Sequence, residues 1–230
     1  MKVAALQSNY IPWKGNFDLI NAVDKFIFYD EVQYTKNDWR NRNRIYSKNG
    51  LQWLTIPIYK DAVKQKVSEV MLNDQSWQEK HFKTLNLTYK SAPFFHQLES
   101  LLINIYRENQ WQRLIDLNRY ILKKLSGIIG IQTTFLDSND YELKGDKVDK
   151  LLGLLMQVGA TEYISGPSGK DYLNSSKPLF EAQNIKLTYM DYSNYPTYEQ
   201  LQQEFVHEVS LLDTIANVDI NDIHKYTCTA

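Results

Sequence analysis

Cysteine is almost missing from this 230-residue chain, with Cys228 near the end as the single instance. One cysteine excludes an internal disulfide and a cysteine-rich zinc site, and it suits a reducing compartment. An excess of either charge is missing too. Lys and Arg total 26 against 27 Asp and Glu, for a net charge of −1, whereas a dedicated nucleic-acid binder would be strongly basic. No apolar run approaches the roughly 18 residues of a membrane-crossing helix. The start, Met1 to Gln7, carries only a brief apolar run, too short for a signal-peptide core. The expected location is therefore cytoplasmic, with no transmembrane segment and no nucleic-acid partner. Histidine is sparse: His81, His96, His207 and His224 show no ligand-like spacing, so no metal site is expected. The absence of a GxSxG elbow leaves a hydrolase triad without support.

What is present fits a globular protein, with apolar residues at 43% and charged residues at 23%. A single core at this length removes roughly 70–75% of the unfolded surface from water, so one domain over residues 1–230 is expected. Aromatic residues are in excess, with 16 Tyr, 9 Phe and 5 Trp. Tyrosine pairs a flat apolar body with a polar tip, which suits pockets and cores alike.

Apolar runs at 3–8 and 25–30 read as strands, the second aromatic and β-branched throughout. A helix is expected from about Asn16. Residues 52–58 form a third strand, with Pro57 at its end or edge. Helical spacing follows at 76–89, 95–107 and 111–125, the first opening on a capping box of Ser76 and Glu79. Beyond these lie a strand at 133–136, a helix at 147–158 closed by Gly159, and strands at 162–165 and 185–190. The alternation predicts an α/β fold with a mostly parallel sheet flanked by helices. The helices of about 76–127 read as an insertion or cap over the strand ends. From Glu199 to Asp222 the chain has acids and no Lys or Arg, the pattern of a solvated helix face.

Segment 33–45 is the most unusual. Read as a strand, it puts Trp39, Asn41, Asn43 and Ile45 on one side and Arg40, Arg42 and Arg44 on the other. Three guanidiniums on one face repel unless acids or an anionic ligand separate them, and arginine favours forked recognition of phosphate or carboxylate. The alternative is a solvated basic hairpin paired with the acidic tail. The loop Ser165-Gly166-Pro167-Ser168-Gly169-Lys170 follows a strand and offers several donors to an anion. It is not a Walker A loop, and a plain strand-to-helix turn explains it equally well. His81 shares a helix face with Trp77, as a structural histidine or as one over the strand ends.

Several of these blocks resemble the WbqC-like protein family. They are Gln7-Ser8-Asn9-Tyr10-Ile11-Pro12-Trp13-Lys14-Gly15-Asn16, Asp30-Glu31-Val32-Gln33-Tyr34, Trp39-Arg40-Asn41-Arg42-Asn43-Arg44-Ile45 and Trp53-Leu54-Thr55-Ile56-Pro57. Trp77, His81, Tyr89 and the stretch from Ser165 to Tyr172 belong to the same pattern. Departures are Ser8 in place of a common proline and Tyr195 in place of a common histidine. The resemblance implies a transferase of bacterial surface-polysaccharide biosynthesis, such as that of O-antigen, attaching an acyl or aminoacyl group to the amine of a nucleotide-linked amino sugar. The stretch from Tyr10 to Ile20 also resembles the HxGH region of nucleotidylyltransferases, with Trp13 and Asn16 in the histidine positions, which implies a Rossmann-like fold.

Residue reading and resemblance together name the expected site. His81 or Asp30 would take the proton from the amine. Gln7, Tyr10, Trp13, Gln33, Lys36, Trp39, Arg40, Asn41, Arg42, Asn43, Trp77, Tyr89, Ser165, Gly166, Ser168 and Tyr172 would hold the substrate, with Arg44 beside the other arginines. No cofactor is expected to be tightly bound. The donor would be a thioester of coenzyme A or of a carrier-protein phosphopantetheine, and an acyl carrier protein would be a partner. Two alternatives stand beside this: a nucleotide-dependent ligase or nucleotidylyltransferase, and a non-catalytic module binding a sugar nucleotide or carrier protein.

Overall fold

The computed structural model describes residues 1–202 and 204–227, so Cys228 lies outside the described residues. The strands are β1 Lys2–Leu6, β2 Lys25–Phe28, β3 Arg42–Ser47, β4 Gly50–Thr55, β5 Thr134–Asp137, β6 Glu162–Ser165 and β7 Lys186–Tyr189. The α-helices are α1 Lys14–Asn21, α2 Ser76–Tyr89, α3 His96–Ile103, α4 Leu114–Ile128, α5 Lys147–Val158, α6 Lys170–Leu173, α7 Lys177–Ala182, α8 Leu211–Asn217 and α9 His224–Thr227.

A five-stranded parallel sheet has the order β5-β2-β1-β6-β7. Interior parallel strands are covered on both faces, so they read as continuous apolar runs. β2 is buried from Phe26 onward. Its side chains still alternate between layers: Phe26 and Phe28 join Ala4 and Ile164 under α1, α2 and α4, while Ile27 joins Val3, Tyr163 and Leu187 under α5 and α7. The chain winds outward from β1 through β2 to β5, then crosses back to place β6 and β7 on the other side. The strand order therefore reverses between β1 and β6, the kind of switch point beyond whose carboxyl ends α/β sheets gather ligands. This is the α/β, Rossmann-like architecture that the sequence predicts. Among the described residues, no helix is long and apolar enough to cross a membrane.

Several local readings need correction. The strand expected at 52–58 ends at Thr55 and pairs antiparallel with β3, outside the parallel sheet. Pro57 lies beyond it, as its missing donor requires. Ser76 is the first residue of α2 rather than its cap; its N–H donates to Asp74, and Glu79 instead forms a forked pair with Arg107. α3 passes into a π-helical turn at Asn104–Glu108. The Ile105 and Asn109 carbonyls there accept from Trp111 Nε1 and Gln78 Nε2 at 2.8 Å each. The acidic tail is no solvated helix face. Every residue of α8 is buried, Asp213 included. α5 follows its reading, capped by Asp146 and closed by Gly159 at φ +77°.

α4 does more than cap. It leads into β5 and carries Arg119 to the strand ends. There the guanidinium meets Asp30 Oδ2 at 2.8 Å and forks onto Asp137. Asp30 is fully buried, and its other oxygen accepts the Ser8 N–H at 2.8 Å. Burial pushes the Asp30 carboxyl up, while Arg119 and Ser8 pull it back. Removing one partner of such a pair strands a buried charge. Arg119→Ala is therefore expected to lower stability by about 3–5 kcal/mol in urea unfolding; a loss below 1 kcal/mol would show that water reaches Asp30.

Candidate functional site

The site begins with the loop that leaves β1. Its polar backbone runs through protein interior, so each carbonyl needs a donor. Asn118 Nδ2 serves the carbonyls of Ser8 at 3.1 Å and Arg40 at 2.8 Å. Asn43 Nδ2 serves those of Tyr10 at 3.0 Å and Ile11 at 3.1 Å. The Tyr10 N–H donates to the Trp39 carbonyl. These bonds hold Ile11 at φ +35°, a conformation that costs a β-branched residue about 1–3 kcal/mol and persists only where its surroundings over-determine it.

The β3–β4 hairpin supplies the facing wall. The expected alternation holds within β3, where Asn43 and Ile45 are buried and Arg42 and Arg44 are half-buried on the other side. Three guanidiniums do not share that face. Arg40 precedes the strand and turns inward, donating to Asn9 Oδ1 and to Gln7 Oε1. Arg42 lies 4.3 Å from the Trp53 ring centre and donates to the Asn37 carbonyl. Arg44 points to Glu208, at 3.3 Å. Repulsion is thus avoided by dispersal, and the Arg44–Glu208 pair is the link to the acidic tail. Asn41 is buried and structural in its contacts: its amide bonds the Tyr34 hydroxyl and the Ile56 carbonyl, both at 2.8 Å.

Between loop and hairpin lies a cleft of about 340 Å³ lined by Asn9, Pro12, Trp13, Asn16, Trp39, Asn43, Arg44 and Glu208. The tail closes it: Ser210 N–H donates to the Arg44 carbonyl and Leu211 N–H to the Pro12 carbonyl. Trp13 folds its indole over Gly15, where a Cβ would stand 2.2 Å from the ring. Glycine is required there. Tyr192 and Tyr195 hold the indole's edge at centroid distances of 5.0 and 6.0 Å. Trp39 stands half out of the protein beside Trp53. The cleft thus presents two indoles, several side-chain amides, one guanidinium and one carboxylate.

Other expected site residues lie elsewhere. His81 is buried below the loop, with Nδ1 2.8 Å from the Tyr10 hydroxyl. Tyr10 also bonds Tyr106, and Trp77 packs edge-on against the imidazole. Burial, rather than neighbouring arginines, lowers the His81 pKa to about 4. Neither His81 nor Asp30 lines the cleft. Tyr89 is wholly buried, and Gln33 donates to the Val63 carbonyl. Lys36 is exposed before Asn37, which has φ +62°. Ser165 is buried with its hydroxyl against Gly169. Gly166 is half-buried, Ser168 and Tyr172 are exposed, and Lys147 covers the Tyr172 ring at 3.8 Å. This group does not line the cleft.

Asn9, Pro12, Asn16 and Glu208 line the cleft and are not among the expected substrate-binding residues. The first three stand inside the opening block of the sequence, so their position carried a signal. Glu208 had none beyond its place in the acidic run. Behind the cleft, Lys14 is buried with its ammonium 4.5 Å from the Tyr195 ring centre. Burial lowers it to about 8, opposed by the carboxylates of Asp213 and Asp18.

His81 generates a pH prediction. Its folded pKa of about 4 lies below the reference of 6.5. Between those values the unfolded chain binds more protons, so the histidine's effect is to lower stability as pH falls from 6.5 to 4. Asp213, raised to about 6 by burial, acts in the opposite sense in that window, so the test is a difference. His81→Gln is expected to lose less stability than the parent between pH 6.5 and 4.5. Parallel urea-unfolding curves across that range would mean the imidazole is hydrated.

Comparison with known proteins agrees with the family resemblance of the loop blocks. The chain is 44% identical over 218 residues to the uncharacterized protein Rv1507c of Mycobacterium tuberculosis, covering 94% of each. No solved structure matches. The model of the WbqC-like protein family matches residues 7–225, from the loop anchored by Arg40 to the helix after the buried tail, and the chain belongs to that family.

Proposed function

We propose that this chain is a transferase of bacterial surface-polysaccharide or related biosynthesis, attaching an acyl or aminoacyl group to the amine of a nucleotide-linked amino sugar. The observation that carries this is the cleft itself, with indoles on both sides and amide and guanidinium donors at its edges. Indole faces suit the apolar face of a pyranose, amides suit its hydroxyls, and Arg44 suits an anionic substituent. In the transfer, the amine nitrogen attacks the thioester carbonyl carbon, the C–S bond breaks, and the amine proton goes to the departing thiolate. An amine nucleophile needs no covalent intermediate on the protein. Catalysis then rests on holding amine and thioester together, with His81 and Asp30 holding the loop and strand ends rather than meeting the substrate.

A second reading, a non-catalytic binding module, is favoured by one fact: both expected bases are hydrogen-bonded away from the cleft. Thiol release from an acyl thioester, measured with a uridine-diphosphate amino sugar, separates the two. Sugar-dependent release is expected, and Trp39→Ala, at the exposed rim, should raise KM about tenfold. Binding without release would support the module. ATP binding that needs magnesium would favour the ligase reading instead.

A further inference from the structure

α1 begins without a side-chain cap and with no acid in its first turn. The positive end of the helix is therefore left without an anion from its own segment. Trp13 and Asn16, at that end, both line the cleft. Asn16 is only 8% exposed, yet its Nδ2 has no hydrogen-bond partner. A buried donor without an acceptor is costly, and native structures retain few of them. Across the cleft, Arg44 meets Glu208 through a single 3.3 Å contact, and the Glu208 side chain is 70% exposed. This differs from the Asp30–Arg119 pair, which is buried and bonded at both carboxylate oxygens. An exposed pair with one contact is weak and exchangeable.

We propose that the cleft seats a phosphate or diphosphate group between Asn16 Nδ2, the first turn of α1 and Arg44, and that Glu208 occupies Arg44 until this anion displaces it. The inference rests on the cleft described above and deepens the proposed function, but it does not require that transfer occurs. A carboxylate matches a phosphate in the sign of its charge and in acceptor geometry at a guanidinium. Glu208 therefore acts as an internal competitor. It keeps Arg44 paired when the cleft is empty and swings to solvent when the ligand enters. The same chemistry is carried by the diphosphate of a sugar nucleotide and by the phosphates of a coenzyme A donor.

Titration calorimetry with inorganic pyrophosphate tests this on the full chain, with thermal melting to confirm that each variant folds. Removing the competitor should help: Glu208→Gln is expected to bind pyrophosphate about two- to fivefold more tightly than the parent. Removing donors should hurt: Arg44→Gln and Asn16→Asp are each expected to bind about tenfold more weakly. Uridine diphosphate and coenzyme A, titrated in the same way, identify the source, since the natural ligand should outbind pyrophosphate and follow the same order of variants. Equal or weaker binding by folded Glu208→Gln would overturn the competitor role. Unchanged binding by folded Asn16→Asp, or no binding by the parent at millimolar pyrophosphate, would overturn the site. Because binding is read without turnover, a failed transfer assay beside this variant order would sink only the transferase reading. Turnover without the order would sink only the anion site.

Discussion

A carboxylate with no exposed surface, Asp30 at the end of β2, constrains much of what surrounds the site. Isolated, a buried charge is too costly to keep; paired and hydrogen-bonded at both oxygens, it fixes its partners in place. Arg119 is drawn to it, and α4 is thereby held across β2 and β5. Asn118, one residue earlier, then reaches the carbonyls of Ser8 and Arg40. The loop after β1 and the approach to the hairpin are thus tied to one helix. A burial problem at a strand end becomes the geometry of the loop that lines the cleft.

The cleft follows from how that loop satisfies its backbone. Asn43 and Asn118 saturate carbonyls that would otherwise be orphaned, and they do so from different elements. With its position over-determined, the loop holds Ile11 in a left-handed conformation and turns sharply into α1. The turn presents Trp13 at the helix start, and only glycine at residue 15 leaves room for the indole. Arg40 is used within this framework, orienting Gln7 and Asn9. It is Arg44, further along β3, that faces the open space.

Periodicity located most of the elements because parallel strands and amphipathic helices write their burial into consecutive residues. α5 was legible to the residue, and Gly159 marked its own left-handed position. The site was only half legible. The opening block and the Arg-Asn alternation supply the two walls of the cleft, and Trp13, Trp39 and Asn43 meet there. The alternation could not show that the strand starts at Arg42, so Arg40 was placed on the wrong face. His81 shares a helix face with Trp77, as its phase implied. Helix phase does not say whether a ring opens into a cavity or onto Tyr10, because that depends on residues distant in sequence.

The acidic tail shows the same limit most clearly. Net charge treats its acids as equivalent, and the fold makes them opposites. Asp213 is buried, accepting from Tyr198 and Gln200 at 2.8 Å, with the buried ammonium of Lys14 stabilising its charge. The aromatic rings of Tyr195, Tyr198 and Phe205 surround that ammonium, the nearest centroid at 4.5 Å, where cation–π attraction replaces part of its lost hydration. This buried end locks the tail against α1. Glu208, five residues earlier, lies on the outer side of the same segment and meets Arg44 in the open. One stretch of chain thus places one acid in a permanent contact and another in an exchangeable one. The permanent contact keeps the wall rigid enough for the exchangeable one to be chemically useful.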